Sequence, residues 1–217
     1  MIHEILRVGP LQCNCSTLGD PESREAIVVD PGGDVETILE VVGRHGLAVK
    51  QIVITHAHID HVSGAMELKR RTGAPILINE QDRRLLEILD LQARWIGAAP
   101  PGEVKVDLPV SDGDVVRAGK LAGQVLHTPG HTEGSICLYL EDHHKLIAGD
   151  TLFSGSIGRT DLLGGSFEKI MRSLHDRVLQ LPDETVVVPG HGDLTTIGEE
   201  RQSNPFLRTG GSSRLRF

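Results

Sequence analysis

Four side chains able to bind a metal ion fall within six residues, immediately after a short apolar run. His56, His58, Asp60 and His61 belong to the segment THAHIDH, which follows the run QIVI at 51–54. Residues two apart in an extended segment point to the same side, so His56, His58 and Asp60 can converge on one face. Imidazole and carboxylate are typical ligands of zinc and iron. The alternative interpretation is a solvated polar turn. Four ligand-type side chains so close together behind a strand disfavour that alternative.

Three further side chains of ligand type each follow an apolar run and a glycine. His131 stands in TPGHT, Asp150 in AGDT and His191 in PGHG. Glycine permits the unusual backbone angles and the close approach that a tight ligand loop needs. With the first segment these residues make seven groups, whereas one four-coordinate catalytic zinc needs three protein ligands and a water. Seven groups suit two metal ions that share a carboxylate and a water.

Apolar periodicity divides the chain into short strands and amphipathic helices. Strands are predicted at 2–8, 13–18, 25–29, 51–54, 74–78, 115–117, 121–127, 135–140, 145–148 and 185–188. Helices are predicted from an Asp34 N-cap to Gly43 or Gly46, at 62–72, at 80–95, at 167–180 behind a Ser166 N-cap, and at 197–203.

The order of these elements indicates the fold class. Because consecutive strands interrupt the alternation of strand and helix, we expect an α/β (α+β) chain with a mixed sheet, or with two sheets, rather than a Rossmann fold. A single domain is predicted over 1–207, followed by a flexible tail at 208–217.

Composition excludes several classes of protein. The 217-residue chain has a net charge of −8 and only 3% aromatic residues, which argues against a nucleic-acid binder. No apolar run approaches the ~20 residues that span a bilayer, and the N-terminus lacks the pattern of a signal peptide. We therefore expect a cytoplasmic protein, monomeric or homodimeric, that binds a small molecule rather than nucleic acid or a membrane.

The motifs resemble those of one family of metal-dependent hydrolases. THAHIDH, TPGHTEGS, GD and PGHG, in that order, resemble the metallo-β-lactamase-fold hydrolases. VDPGGD at 29–34, GDTLF at 149–153 and GRTD at 158–161 are similar to the type II glyoxalases, the hydroxyacylglutathione hydrolases. The ending GEERQSNPFL at 198–207 resembles their short bacterial form. The resemblance implies a four-layer αββα sandwich with its metals at one edge of two sheets.

The resemblance also implies a ligand set and a reaction. His56, His58 and His131 would hold the first metal, Asp60, His61 and His191 the second, and Asp150 would bridge them. We expect two divalent ions, zinc first, with iron and manganese as alternatives. Such a pair, about 3.5–4 Å apart, provides hydroxide near pH 7 for attack on a thioester of the S-lactoylglutathione type. Asp60 and Asp150 are the expected catalytic carboxylates, and Asp60 would also orient the hydroxide.

Three other functions stay open at this point. A persulfide dioxygenase shares the fold, the His-x-His-x-Asp-His motif and a GRTD stretch, yet uses one iron and molecular oxygen. The same hydroxide could cleave a lactone or another ester, and the chain could be a binding module on an inactive scaffold. PGHG followed by TTIGEERQSNPFL favours the hydrolase, and the complete ligand set disfavours the binding module. A true β-lactamase is disfavoured by Asp150, because those enzymes do not usually place a bridging Asp there.

The motifs say less about the substrate than about the metal site. Long glyoxalases grip glutathione with basic residues of a C-terminal helical domain, whereas this chain ends about 26 residues after His191. Those enzymes also carry a Lys and a Tyr after the bridging Asp. Arg159 is the predicted replacement for the Lys as an anion contact, and Asp161 stands near the place of the Tyr. An ion pair of Arg159 with Asp161, or with groups near Asp150, is the alternative.

Overall fold

The computed structural model describes residues 1–208, whose strands form two six-stranded sheets and a small hairpin. The strands are β1 (Ile2–Val8), β2 (Cys13–Gly19), β3 (Glu25–Val29), β4 (Ala48–Val53), β5 (Ile76–Ile78), β6 (Leu108–Pro109), β7 (Val115–Ala118), β8 (Leu121–His127), β9 (Ile136–Leu140), β10 (Lys145–Gly149), β11 (Leu152–Phe153), β12 (Ser156–Ile157), β13 (Val186–Pro189) and β14 (Thr195–Thr196). The helices are α1 (Val35–Arg44), α2 (Ile59–Val62), α3 (Ala65–Thr72), α4 (Arg83–Leu86), α5 (Leu89–Ile96), α6 (Phe167–Asp176), α7 (Ile197–Ser203) and α8 (Pro205–Arg208). The sheets have the strand orders β1-β2-β3-β4-β5-β6 and β14-β13-β10-β9-β8-β7, and β11 pairs with β12.

Strand direction decides which loops meet. In the first sheet β1, β2 and β3 pair antiparallel, whereas β3 to β6 pair parallel. In the second sheet β9 pairs antiparallel with both β8 and β10, so β8 and β10 run the same way, and β13 pairs parallel with β10. The loops that follow β8, β10 and β13 therefore leave the second sheet at one edge.

Side-chain alternation divides the strands among three apolar layers. In β9, Ile136, Leu138 and Leu140 face the first sheet, while Cys137 and Tyr139 face the opposite way, toward α6. Strand β3 is divided in the same manner between the central layer and the layer beneath α1 and α3. A strand that is buried on both faces carries apolar side chains on both, so its sequence is a continuous apolar run rather than an alternating pattern. The expected four-layer αββα sandwich of the metallo-β-lactamase type is confirmed.

Three predicted helices differ from those observed. The segment 62–72 forms α3 from Ala65 onward, the segment 80–95 becomes a 3₁₀ turn, α4 and α5, and the segment 167–180 becomes α6 and a 3₁₀ turn at Val178–Gln180. At the break between α4 and α5, Ile88 leaves the helical conformation, with φ −111° and ψ 18°. The side-chain amide of Gln92 donates a hydrogen bond to the Leu85 carbonyl at 3.0 Å. In a continuous helix this carbonyl would instead accept from the backbone amide of Leu89. A tertiary role of Gln92, described below, thus competes with helix continuity.

The two predicted N-caps have different outcomes. The Ser166 hydroxyl accepts a hydrogen bond from the Lys169 amide at 3.3 Å and caps α6 as predicted. Asp34 is left-handed, with φ 47°, and makes no capping bond within the described chain. Its carboxylate instead accepts from the Gly9 amide at 2.8 Å, so it ties the turn between β1 and β2 to the start of α1.

The C-terminal boundary is only partly described. Arg208 ends α8, and the remainder of the predicted tail 208–217 lies outside the described residues. Within residues 1–208, no helix has the length and apolar character required to cross a bilayer.

Truncation of Leu138 tests the central layer. Leu138 is fully buried between the sheets, and its methyl groups fill the space beside Gly123. We expect Leu138→Ala to lower the free energy of unfolding by about 2–5 kcal/mol, because a cavity replaces those contacts. Leu108→Ala, at a half-exposed position of β6, is the control and should cost below about 0.5 kcal/mol. Urea unfolding followed by circular dichroism measures both, and equal losses would contradict this layer assignment.

Candidate metal centre

The seven predicted ligand side chains all lie on segments that follow strands. The segment 54–61 follows β4 of the first sheet, whereas His131, Asp150 and His191 follow β8, β10 and β13 of the second. Since β8, β10 and β13 run in the same direction, their loops emerge side by side and face the segment after β4. The structure brings all seven side chains together at this edge, as the following distances show.

The first cluster consists of three imidazoles. Nε2 of His56 lies 3.1 Å from Nδ1 of His58, which lies 2.9 Å from Nε2 of His131. Nitrogen atoms about 2.0–2.1 Å from a tetrahedral ion stand about 3.3 Å apart. The three nitrogens therefore have nearly the spacing of ligands of one ion.

The second cluster combines two imidazoles with carboxylates. Nε2 of His191 lies 2.9 Å from Oδ2 of Asp60, and Nε2 of His61 lies 3.7 Å from the same oxygen. Oδ1 of Asp150 lies 3.4 Å from Nε2 of His61 and 4.0 Å from Nε2 of His191. His61 is fully buried and His191 is 28% exposed, so solvent reaches this cluster from the His191 side.

The Asp150 carboxylate lies between the two clusters. Its Oδ1 faces the second cluster, and its Oδ2 lies 3.5 Å from Nε2 of His131 in the first. Nε2 of His61 and Oδ1 of Asp150 are buried and have no hydrogen-bond partner among residues 1–208. Buried polar atoms are nearly always paired. A nitrogen and a carboxylate oxygen that face each other unpaired have the donor chemistry of a site for a divalent cation.

Two glycines allow this close approach. A Cβ on Gly190 would lie 2.1 Å from Oδ1 of Asp150 and 2.7 Å from the His61 ring. Gly149 has φ +48°, a left-handed conformation that a side chain disfavours, and its Cα packs against Thr55. The sequence expectation that glycine is needed before these ligands is thus explained by steric contact at Gly190 and by backbone angle at Gly149.

Two imidazoles of the first cluster, those of His56 and His58, are neutral. Burial, helped by the neighbouring imidazoles, lowers the pKa of His56 well below its usual value. Burial and the nearby His131 lower the pKa of His58 to about 3. Neutral imidazoles keep the lone pair that a metal ion requires.

The second cluster attracts positive charge. Burial alone would raise the pKa of Asp60 and of Asp150, but the neighbouring His61 outweighs it and holds both carboxyl groups ionised. Burial likewise opposes a charge on His61, yet the carboxylates of Asp150, Asp30 and Asp60 raise its pKa well above the usual value. A cation that binds here replaces that proton.

Asp30 is a supporting residue that the sequence analysis included only within a motif of the type II glyoxalases. Its carboxylate accepts hydrogen bonds from the Thr55 amide and hydroxyl, each at 2.7 Å, and lies 2.9 Å from Nδ1 of His61. The Thr55 hydroxyl in turn lies 3.1 Å from Nδ1 of His56. Asp30 therefore orients one imidazole of each cluster and leaves its Nε2 toward the site. The motif VDPGGD at 29–34 was the available signal.

Asp82 and Gln92 hold the backbone of the ligand loops, and the sequence analysis missed both. Oδ2 of the buried Asp82 accepts from the Ala57 amide at 2.8 Å and from the Thr132 hydroxyl at 2.9 Å, while Oδ1 accepts from the Gly134 amide at 2.6 Å. Burial raises the pKa of Asp82, because these donors are neutral and only partly offset the loss of solvent. The Gln92 amide oxygen accepts from the Ile59 amide at 2.9 Å. Asp82 thus fixes the loop of His58 relative to the loop of His131.

Arg159 makes an ion pair rather than projecting alone into the site. Its guanidinium donates two hydrogen bonds to Asp161, at 3.0 and 2.9 Å, and both side chains are exposed. Its carbonyl oxygen lies 2.8 Å from Nδ1 of His131 and orients that ring. The ion-pair interpretation of Arg159 describes this geometry, while its contact with substrate stays a prediction.

Cys13 lies against the second cluster. Its Sγ is 3.5 Å from Nδ1 of His61, and Cys13, His61 and His191 are close enough together to surround an ion. Burial raises the pKa of Cys13 to about 11, so the thiol keeps its proton at neutral pH. Nδ1 of His61 already faces Asp30, so Cys13 packs beside this contact as a small buried side chain.

Substitution of Asp82 tests whether loop positioning governs metal affinity. We expect Asp82→Asn to weaken binding of the first metal ion by about 10–100-fold, because an amide cannot accept from the Ala57, Thr132 and Gly134 donors together. Metal competition against a chromophoric chelator provides the measurement.

Asp20 offers the matched control. It is a buried carboxylate with three neutral donors, the amides of Glu22 and Lys120 and the Ser23 hydroxyl, at the end of β2. Asp20→Asn should lower stability in urea without changing metal affinity. Equal metal affinities for Asp82→Asn and the unmodified protein would contradict the positioning role.

Two curated relatives have different activities. The hydroxyacylglutathione hydrolase GloC of Haemophilus influenzae is 38% identical over 213 residues, which cover 95% of this chain and 98% of that protein. The mitochondrial persulfide dioxygenase ETHE1 of Homo sapiens is 31% identical over 211 residues, which cover 91% of this chain and 73% of that protein. The family relationship therefore does not select between the two reactions.

Solved structures and a family model place the chain in a superfamily. The BLEG-1 B3 metallo-β-lactamase has a TM-score of 0.89 at 36% identity and covers 96% of this chain and 100% of that chain. TTHA1623 in a di-iron-bound form has a TM-score of 0.86 at 38% identity and covers 94% of this chain and 100% of that chain. The model of the metallo-β-lactamase superfamily matches residues 8–191, from the end of β1 to the last histidine of the site. The chain therefore belongs to the metallo-β-lactamase superfamily.

Proposed function

We propose that the protein is a dinuclear metallohydrolase that cleaves thioesters of the S-lactoylglutathione type. The observation that carries this proposal is the Asp150 carboxylate, which turns one oxygen to each cluster and leaves Oδ1 unpaired opposite Nε2 of His61 within the described chain. A site for one ion would need neither the second set of ligands nor a carboxylate shared between two sets.

The residues have separate roles in the proposed site. His56, His58 and His131 would hold one ion, Asp60, His61 and His191 the other, and Asp150 both. When bound, two divalent cations supply a hydroxide nucleophile near neutral pH and polarise the carbonyl of the substrate. Zinc is the expected metal, and iron or manganese the alternatives, because imidazole and carboxylate ligands accept all three.

The protein's own side chains orient the reacting groups. The Asp60 carboxylate is ionised and only 11% exposed, and it points its Oδ2 into the solvent-accessible side of the second cluster beside His191. From this position it can accept a hydrogen bond from the attacking hydroxide and fix its direction. The thiolate that leaves from a thioester is a weak base with a pKa of about 8.5, so it departs without a general acid.

A persulfide dioxygenase is the second candidate, since the human enzyme ETHE1 is 31% identical to this chain. That reaction would need one iron and molecular oxygen. Asp60 and His61 belong to the motif that both enzymes share, so the support for the hydrolase comes from His191, which completes a second set of ligands that a mononuclear site would not need. Hydrolysis of a lactone or another ester by the same site is a further alternative. A cytoplasmic location and a small-molecule partner are part of the proposal.

Substitution of His191 separates the two candidates. His191 belongs to the second cluster alone, so His191→Ala should reduce bound metal from two ions to one per chain and lower kcat/KM for thioester hydrolysis at least 100-fold. His175→Ala, at an exposed position of α6, is the control and should change neither quantity. Metal analysis accompanies assays of S-lactoylglutathione and simple thioesters.

Oxygen consumption distinguishes the dioxygenase from the hydrolase. The hydrolase should consume no oxygen with glutathione persulfide. Oxygen uptake by protein with one iron per chain, unaffected by His191→Ala, would establish the dioxygenase instead. Failure to cleave any thioester, lactone or ester would overturn the hydrolase assignment altogether.

A further inference from the structure

Segments next to the metal centre carry several exposed apolar side chains. Of the nine large apolar side chains exposed among residues 1–208, four lie on turns, or at the start of α6, next to the ligand loops: Leu11, Leu163, Phe167 and Leu194. Each is between 46% and 61% exposed. Exposed apolar groups that cluster around a concave polar site are typical of ligand-binding surfaces.

Leu11 and Leu194 border the second cluster. Leu194 stands three residues after His191, in a loop held by two hydrogen bonds of Asn14, from its amide to Gly190 O at 2.7 Å and from its side chain to Gly192 O at 3.0 Å. Leu11 lies in the turn just before β2, three residues from Asn14. The two leucines therefore stand on loops that Asn14 joins next to His191.

The turn that carries Leu11 is also fixed against Asp60. Gly9 of this turn packs on Gly32, where a Cβ on Gly9 would lie 3.1 Å from the Gly32 carbonyl oxygen. Gly32 in turn contacts the backbone of Asp60 so closely that a Cβ there would overlap the Asp60 carbonyl. This chain of contacts sets the turn at the border of the second cluster.

Leu163 and Phe167 border the first cluster. The Ser166 amide donates to the Gly130 carbonyl at 2.8 Å, so the start of α6, with Phe167, is attached directly before His131. Gly164, next to Leu163, lies against the backbone of Glu133, which follows His131 by two residues. One pair of apolar side chains thus lies on loops next to the second cluster, and the other on segments next to the first.

The cations on these same segments are already neutralised. Arg7 pairs with Asp193 at 2.9 Å, next to Leu194, and Arg159 pairs with Asp161 at 2.9 Å, near Leu163. Lys169 of α6 pairs with Glu133. Each pair contributes no net charge, and the whole chain carries −8. The border of the site is therefore suited to apolar groups and gives no electrostatic advantage to a substrate with carboxylates.

We infer that the site selects acyl thioesters whose acyl chain and thiol are uncharged and apolar, and that it does not select the carboxylates of glutathione. This inference rests on the proposed thioesterase function and narrows its substrate class. An apolar chain that leaves water between Leu11 and Leu194 gains about three- to fourfold in binding for each methylene group that is buried.

A series of S-acyl-N-acetylcysteamine thioesters with acetyl, butanoyl and hexanoyl chains tests the inference against S-lactoylglutathione. We expect kcat/KM to rise at least threefold with each step of the series, and the hexanoyl ester to exceed S-lactoylglutathione. The value for S-lactoylglutathione should not fall between 50 and 300 mM salt, because Arg7, Arg159 and Lys169 are each paired with a carboxylate.

Two variants locate the effect. Leu194→Ser should lower kcat/KM for the hexanoyl ester at least threefold and leave the acetyl ester unchanged, whereas Leu108→Ser, at an equally exposed position of β6 (49%), should change neither. Asp193→Asn frees Arg7 and should raise kcat/KM for S-lactoylglutathione relative to the acetyl ester.

The results that would overturn the inference alone differ from those that would also overturn the proposed function. A flat response to chain length, or a preference for S-lactoylglutathione that declines with salt, would overturn the inference and leave the thioesterase function standing. Hydrolysis of none of these thioesters would overturn the inference and the proposed function together.

Discussion

The architecture of the site depends on one carboxylate that two groups of imidazoles share. Asp150 emerges from the second sheet, but its partner His61 emerges from the first, with Nε2 of His61 3.4 Å from Oδ1 of Asp150. This contact requires that the loops of the two packed sheets meet at one edge of the sandwich. It also requires that the backbone at Gly190 lie so close to both groups that a Cβ there would overlap them. The apolar layer between the sheets supplies the rigid support that such a contact requires, since an error of 1 Å in ligand position is enough to impair a catalytic site.

Uncharged donors and buried carboxylates make this arrangement stable. Asp30 orients one imidazole of each cluster, and Asp82 joins the loops that carry His58 and His131. Both carboxylates are almost completely buried, where an unpaired charge would be costly, and both are surrounded by hydrogen-bond donors. The chemistry at the metal centre is thus maintained by residues that do not themselves face the metal positions.

The sequence predicted which side chains meet at the candidate site better than it predicted the residues that support them. The pattern is local, because His56, His58, Asp60 and His61 stand together behind a strand and the other three candidates follow glycines at strand ends. The four-layer fold followed from the resemblance of these motifs, and the structure confirms it. Asp82 could not be assigned in this way, because its role comes from contacts with Ala57 and Thr132, which are 25 and 50 residues away. The same is true of the break in the predicted helix 80–95, which depends on tertiary contacts of Gln92. Arg159 shows the limit for substrate contacts, since its pairing with Asp161 was one of two interpretations that the pattern alone left open.

The central claim is that two ions bind on either side of Asp150. Crystals of the zinc-loaded protein, with anomalous diffraction recorded on both sides of the zinc absorption edge, test it most directly. We expect two anomalous peaks, one among His56, His58 and His131 and one among Asp60, His61 and His191. An oxygen of Asp150 should be bound to each ion. A single peak at full zinc occupancy, with Asp150 in contact with one ion only, would contradict it.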